Sequence, residues 1–436
     1  MDSADVRIPG TTSQTVLGAW GLFTAVLLVM VGNGLLVTLL GVRAEIEGFS
    51  TTTTGIVFAS YFMGCLGGAW IVPRFVVSVG HIRTYAALAS IASAAALLHI
   101  VTASPGAWMF ARLVTGFAMS GLFIIAESWL NDAATNETRG RLLSIYMVVM
   151  TGAFALGQLL LASGDPAGVV LFIVASVLVS IAVVPITLSA SPTPDFTLST
   201  SLPIRDVWRV APLGLIGGFG SGLGVGAFFS LGAVYATRVG MSVNRIALFM
   251  GIAVLGSVIL QAPIGIISDR IQRRQAILGL ALLASGASLA MLFTDPLGLP
   301  AFGVVGLVGG LSFPMYSLAL SHINDHVPYG TAVAVSSLYV FVTGVGAIIG
   351  PILGAVMIDS LGPDGLFWLM AWMNAAIAAF ALLRISTRPG MPVKEQRAFM
   401  MVPARAGAVI LSVARRAKRP RGKHRPSNGK NGPPGA

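Results

Sequence analysis

Two charged side chains stand inside an otherwise uncharged apolar run: Arg112 and Glu127 in "RLVTGFAMSGLFIIAESW", residues 112–129. On a helix, positions 112, 116, 120, 123 and 127 form one stripe, so Arg112, Gly116, Ser120 and Glu127 share a face. A charge held at mid-depth in lipid costs at least ~2.5 kcal/mol, which makes each such residue a functional candidate. Arg112 lies about 7 Å in from one helix end. It can anchor an anion or partner a proton on a cavity wall; equally, it can snorkel outward or bond backbone carbonyls. Glu127, near the opposite end, can belong to a gate ion pair or carry a proton. Uncharged polar residues stand in other apolar runs: Asn33, Tyr61, Gln158 and Gln261. They are candidates for lining a substrate cavity, although buried polar side chains in helix bundles more often bridge helices. Asn33, set between Gly32 and Gly34, leads them.

A further cluster, "PIGIISDRIQRR" at residues 263–274, carries Asp269, Arg270, Arg273 and Arg274. A similar stretch, "PRFVVSVGHIR" at residues 73–83, has lost the Asp-Arg pair and has Val77 at the acid's place. Enzyme chemistry finds no support. There is no phosphate loop, and His81, His99, His322, His326 and His424 do not gather with acids or thiols at metal-ligand spacing. The single Cys65 excludes an intramolecular disulfide. The expectation is no catalytic residue, no metal and no cofactor.

The elements that hold these residues follow from composition. The 436 residues are 55% hydrophobic and 10% charged, against about 25% charged in a soluble domain. Mean hydropathy is +0.86. Apolar runs of the length that crosses a bilayer as a helix recur throughout. Twelve spans are expected, at 18–42, 54–76, 84–104, 107–130, 142–163, 167–190, 211–236, 245–267, 275–293, 299–321, 332–357 and 364–385. Residues 1–17 are polar, and the run after them is too long for a signal-peptide core. The Ser/Thr/Pro-rich linker 191–210 divides the chain into halves, 18–190 and 211–385, and a basic tail occupies 386–436.

Arginine placement sets the orientation. With both termini cytoplasmic, that side receives Arg74, Arg83, Arg139, Arg141, Arg205, Arg209, Arg270, Arg273 and Arg274; the outer loops keep Arg43, Arg238 and Arg245. The tail holds nearly half of the chain's 27 Lys and Arg, densest in "ARRAKRPRGKHRP". Following a membrane domain, such a run fits anionic lipid headgroups. It lacks the aromatic residues that stacking on nucleic-acid bases requires.

The halves repeat at an offset of 192 or 193. "GFS" at 48–50 meets "GMS" at 240–242; Gly32 and Gly34 meet Gly224 and Gly226; "ESWLND" at 127–132 meets "LSHIND" at 320–325; Gly157 meets Gly350. Polar and glycine matches at one constant spacing mean duplication of a six-helix unit. Gly218, Gly222 and Gly226 on the seventh span, and Gly346 and Gly350 on the eleventh, recur every four residues, which lets helices approach closely. Pro351 permits a bend.

This arrangement resembles the major facilitator superfamily of transporters. The likeness is carried by "GIISDRIQRR", "RLVTGFAMSG" and the glycine-rich "GVGAIIGPILG", and covers nearly all of residues 15–388. "ESWLNDAATNETRGRLLSIYMVV" followed by "GQLL" is similar to a bacterial branch of largely uncharacterised MFS-type transporters. Gln272 and Ala118 replace glycines of the family pattern. The resemblance implies an all-α integral membrane fold of twelve helices in two pseudo-symmetric six-helix bundles. It implies a monomer in the bacterial inner membrane that carries a small solute by alternating access. Proton coupling is a family expectation, and uniport or exchange stays open because no acid stands at mid-membrane. The alternative is a non-transporting sensor or scaffold that keeps the fold.

The resemblance also makes the charged loop a latch. Its acid, Asp269, would dock with Arg270 on the start of the fifth span, against Arg139, Arg141 and Glu127. A carboxylate at a helix N-terminus gains roughly 0.3–1 kcal/mol. The equivalent start of the eleventh span, "TAVA", carries no base, and the acid facing it is replaced by Val77.

Overall fold

The structure is a computed structural model that describes residues 20–133, 139–188, 203–328, 331–387 and 390–399, without the side chains of 131–133, 139–141 and 332–333. The N-terminal segment 1–17, most of the linker and the tail beyond 399 fall outside the described residues. Among the described residues, twelve helices are long and apolar enough to cross a membrane. In the first half they are α1 (Trp20–Ile46), α2 (Thr51–Val79), α3 (His81–Val101), α4 (Pro105–Ala133), α5 (Arg139–Leu159) and α6 (Val170–Leu188). In the second they are α7 (Pro212–Arg238), α8 (Val243–Arg270), α9 (Arg273–Leu292), α10 (Pro300–His326), α11 (Ala332–Leu361) and α12 (Gly365–Thr387). Lipid offers the backbone no hydrogen-bond partner, so apolar spans of this length close their own ladders as helices.

Helix ends follow local chemistry. Ser50 caps α2 by accepting the Thr53 N–H at 3.1 Å. Gly48 and Gly240, equivalent positions after α1 and α7, take φ of +71° and +82°, a conformation that costs other residues more. Several helices outrun the apolar runs that foretold them. Arg43 pairs with Glu47 one turn on, at 2.6 Å, which keeps the polar end of α1 helical. Asp269 and Arg270 form the last turn of α8 rather than a loop.

The two bundles are pseudo-symmetric down to single contacts. A Cβ on Gly34 would strike the Phe154 carbonyl, and one on the equivalent Gly226 would strike the Ala347 carbonyl. Gly157 lies against the Val31 carbonyl as Gly350 lies against that of Leu223. Gly116 and Gly309 abut the carbonyls of Tyr61 and Ala253 in the same way. Glycine at these places lets α1 interlock with α5, and α7 with α11, at backbone contact. Gly218 packs on the Tyr339 ring, Gly222 on the Thr343 carbonyl and Gly346 on the Phe219 carbonyl.

Prolines within the spans behave in two ways. Pro351 sits inside an unbroken α11, as Pro73 does in α2 and Pro263 in α8. Pro314 instead divides α10 into Pro300–Ser312 and Met315–His326. Proline brings no N–H for the Gly310 carbonyl, and the Tyr316 amide turns to Phe313 O at 3.3 Å. The halves therefore differ here, since α4 runs unbroken through the equivalent Gly121.

Candidate functional site between the two bundles

The seam between the bundles is built from small residues and a few polar ties. A Cβ on Gly41 would lie 2.8 Å from Ala233 Cβ, joining α1 to α7. One on Gly55 would lie 2.7 Å from Pro351 O, joining α2 to α11. Gly251 of α8 meets Leu159 at the end of α5. Arg238 donates to Glu45 at 3.0 Å, and Thr52 Oγ1 donates to Asp359 at 2.9 Å. These ties gather toward the end away from the arginine-rich loops. The sequence reading missed the Glu45–Arg238 pair. The available signal was opposite charge on two helix ends at the repeat spacing.

At the centre, α1 and α7 are buried along nearly their whole length. Among the described residues, α4 and α10 are not closely packed against each other. Asn33 is the midpoint of α1 and Phe313 that of α10. Neither atom of the Asn33 amide has a hydrogen-bond partner, nor has either of Gln158, nor the hydroxyls of Ser221 and Ser312. All four residues are under 5% exposed. A buried polar group left unpaired costs about 1–3 kcal/mol. Asn33 and Gln158 are chain neighbours of the interlocked Gly34 of α1 and Gly157 of α5. An aromatic layer lies at similar depth. Phe154 of α5 meets Phe229 of α7 edge-on at 5.3 Å, and Phe229 meets Phe313 at 5.2 Å. Phe313 is only half-buried and sits at the α10 break.

Other candidates fall within single bundles. The Arg112 guanidinium, 1% exposed, lies 4.2 Å from the Tyr61 ring centroid and 5.2 Å from that of Phe58. This cation–π sandwich between α2 and α4 offsets part of the cost of a buried charge. Gln261 Nε2 donates to Ser317 Oγ at 3.3 Å, bridging α8 and α10. Glu127 of α4 is 1% exposed.

For the expected latch, Asp269 accepts from Arg273 of the second half at 3.2 Å and from the Phe399 N–H of the tail at 2.8 Å, neither of them in the first half. Arg270 is exposed. The Arg139 and Arg141 side chains lie outside the described residues, so the docking side of the latch does too. No group of three or more metal-ligating residues occurs among the described residues.

The likeness to known proteins agrees with this architecture. A family model described as Major Facilitator Superfamily matches residues 22–343. An "Uncharacterized MFS-type transporter YcaD" of Escherichia fergusonii is 28% identical over 375 residues, covering 85% of this chain and 97% of the relative. Its Salmonella typhimurium namesake is 27% identical over the same length. Among solved structures, the nucleoside transporter NupG superposes with a TM-score of 0.71 at 14% identity, covering 85% of this chain and all of its own. A bacterial homologue of the human lysosomal transporter Spinster, inward-facing and occupied, gives 0.68 at 15%, covering 89% and 99%.

Proposed function

The chain belongs to the major facilitator superfamily, and on that premise we propose that it carries a small neutral or singly anionic solute by alternating access at a site between the bundles. The observation that carries this reading is the set of unpartnered buried polar atoms on Asn33, Gln158, Ser221 and Ser312. Left empty, they would cost several kcal/mol together; a hydrogen-bonding solute satisfies them. The α10 break adds to them, since discontinuous helices at the bilayer midplane frame transporter sites. The Phe154–Phe229–Phe313 layer supplies an apolar face beside the polar atoms. Arg112, held against Tyr61, is a structural cation in this reading, and Gln261 braces α8 on α10.

Glu127 is the group that would carry a coupling proton, because it is a carboxylate buried within a membrane-spanning helix. The arginine-rich end faces the cytoplasm, following the positive-inside bias in an inner membrane. The basic tail lies against anionic headgroups, and the protein works as a monomer. The latch keeps its proposed form, with Asp269 and Arg270 meeting Arg139 and Arg141 in the state where that end closes.

A thermal-shift screen tests the site, since a ligand that binds only the folded state raises its stability. Sugars, amino acids, nucleosides and small anions are tried on wild type and on Asn33→Leu and Gln158→Leu. The expected hit stabilises wild type, fails on both variants and is taken up by proteoliposomes. A solute that is transported equally by both variants would refute the site. Uptake driven by an imposed pH gradient in wild type, and its loss in Glu127→Gln with solute exchange kept, would support coupling at Glu127; unchanged gradient-driven uptake in that variant would remove it.

A further inference from the structure

At the arginine-rich end, residues 390–399 run across the ends of α8, α9 and α10. The Phe399 N–H donates to Asp269 at 2.8 Å, and the Arg397 N–H donates to Asp325 at 2.9 Å. Arg273 lies between the two acids, 3.2 Å from Asp269 and 3.0 Å from Asp325, and also donates to the Arg397 carbonyl. The Arg397 guanidinium donates to Val327 O at 2.7 Å. The Phe399 ring fills the space over Gly265, where a Cβ would lie 2.5 Å from it. The Arg273 side chain is 2% exposed and that of Asp325 1%.

The charges explain why this segment sits there. Arg273 opens α9, and a helix N-terminus disfavours a cation. Burial adds a desolvation cost that pairing alone need not offset. Two carboxylates answer one guanidinium and leave acceptor capacity over. The Phe399 and Arg397 amides supply the donors that use it.

We infer that residues 390–399 are a strap seated on a surface made by Gly265, Asp269, Arg273, Asp325 and Val327, and that its attachment holds the second segment of α10 in place. That segment, Met315–His326, is separated from the rest of α10 by the break at Pro314. Its free end is tied through Asp325 and Val327, and its other end carries Tyr316, whose carbonyl accepts from the Tyr339 hydroxyl of α11 at 2.7 Å. Seated, the strap fixes a lever that spans from the arginine-rich end to the middle of the protein. Released, it lets the lever move and frees Asp269 for another partner. This goes beyond the transport reading, and its test reads helix motion alone, so the two stand or fall separately.

Hydrogen–deuterium exchange on the full-length detergent-solubilised protein tests it. Phe399→Pro and Arg397→Pro each delete one donated backbone N–H, the second together with the guanidinium bond to Val327 O, in a segment outside both bundles. Gly265→Leu evicts the Phe399 ring without touching a charge. All three are expected to speed exchange about tenfold across residues 315–327, the effect of one or two net hydrogen bonds lost, while α3 exchanges as in wild type. Exchange that is unchanged, or faster only at residues 325–327 beneath the strap, would overturn the inference. A Gly265→Leu result that disagrees with the two proline variants would do so as well.

Discussion

Glu45 and Arg238 stand 193 residues apart, at equivalent ends of α1 and α7, and join the two bundles at 3.0 Å. A tie between repeat-related positions straddles the axis that relates the bundles. It must break whenever that end of the molecule opens.

The Arg238 side chain is 28% exposed and that of Glu45 16%, so water screens the pair and it is worth about 0.5–1 kcal/mol. Glu45→Gln or Arg238→Gln should raise the reactivity of cysteines placed at the nearby ends of α1 and α7 by roughly two- to fivefold. The double exchange Glu45→Arg with Arg238→Glu should restore the wild-type level. A double exchange as reactive as the single variants would show that the contact does not hold the seam.

The interlocked glycines should be intolerant for steric reasons. Gly34→Ala and Gly350→Ala each force a Cβ onto a facing carbonyl and should cost about 1–3 kcal/mol as overpacking, read as a lowered Tm in detergent. Gly279→Ala, where nothing lies within 4 Å, serves as the control and should leave Tm unchanged or slightly raised.

Arg112 should behave as a stacked guanidinium rather than a simple positive charge. Arg112→Lys keeps the charge but loses the planar contact with Tyr61 and Phe58. It should lower stability by about 1–2 kcal/mol, and Tyr61→Leu, which removes the ring, should lower it as well. If Arg112→Lys is fully stable and transport falls only for anionic solutes, Arg112 is an anion anchor instead.

The α10 break should matter for movement more than for folding. Pro314→Ala restores an N–H for the Gly310 carbonyl and should slow exchange over residues 310–316. Transport should fall several-fold while Tm holds or rises, because a rigid helix resists the bend. Unchanged exchange would mean that neighbouring helices, not the proline, impose the break.

How much of this could be read beforehand depended on what each feature rests upon. Twelve helices and two matched halves were legible because spanning length, apolarity and the offset of 192 or 193 are local properties of the chain. Arg112 and Glu127 were legible as exceptions, since charge within an apolar run must be answered by something. Their partners were not. Whether Arg112 meets a solute or the ring of Tyr61 depends on how α2 crosses α4, and the pattern within α4 carries no record of that crossing. The α10 break escaped notice because Pro73, Pro263 and Pro351 also stand in apolar runs and leave their helices whole; only the neighbours decide which proline interrupts.

By itself, then, the sequence determined the membrane as solvent, the number of spans, the duplication and the charged cluster between the eighth and ninth spans. Backbone bonding in lipid and the placement of arginine leave little freedom in these. Tertiary structure alone decided that Asp269 accepts from the Phe399 amide, that Glu45 finds Arg238 across the seam, and that buried polar atoms of Asn33, Gln158, Ser221 and Ser312 are left without hydrogen-bond partners. Such pairings join residues a hundred or more positions apart, and their geometry exists only once the bundles have packed.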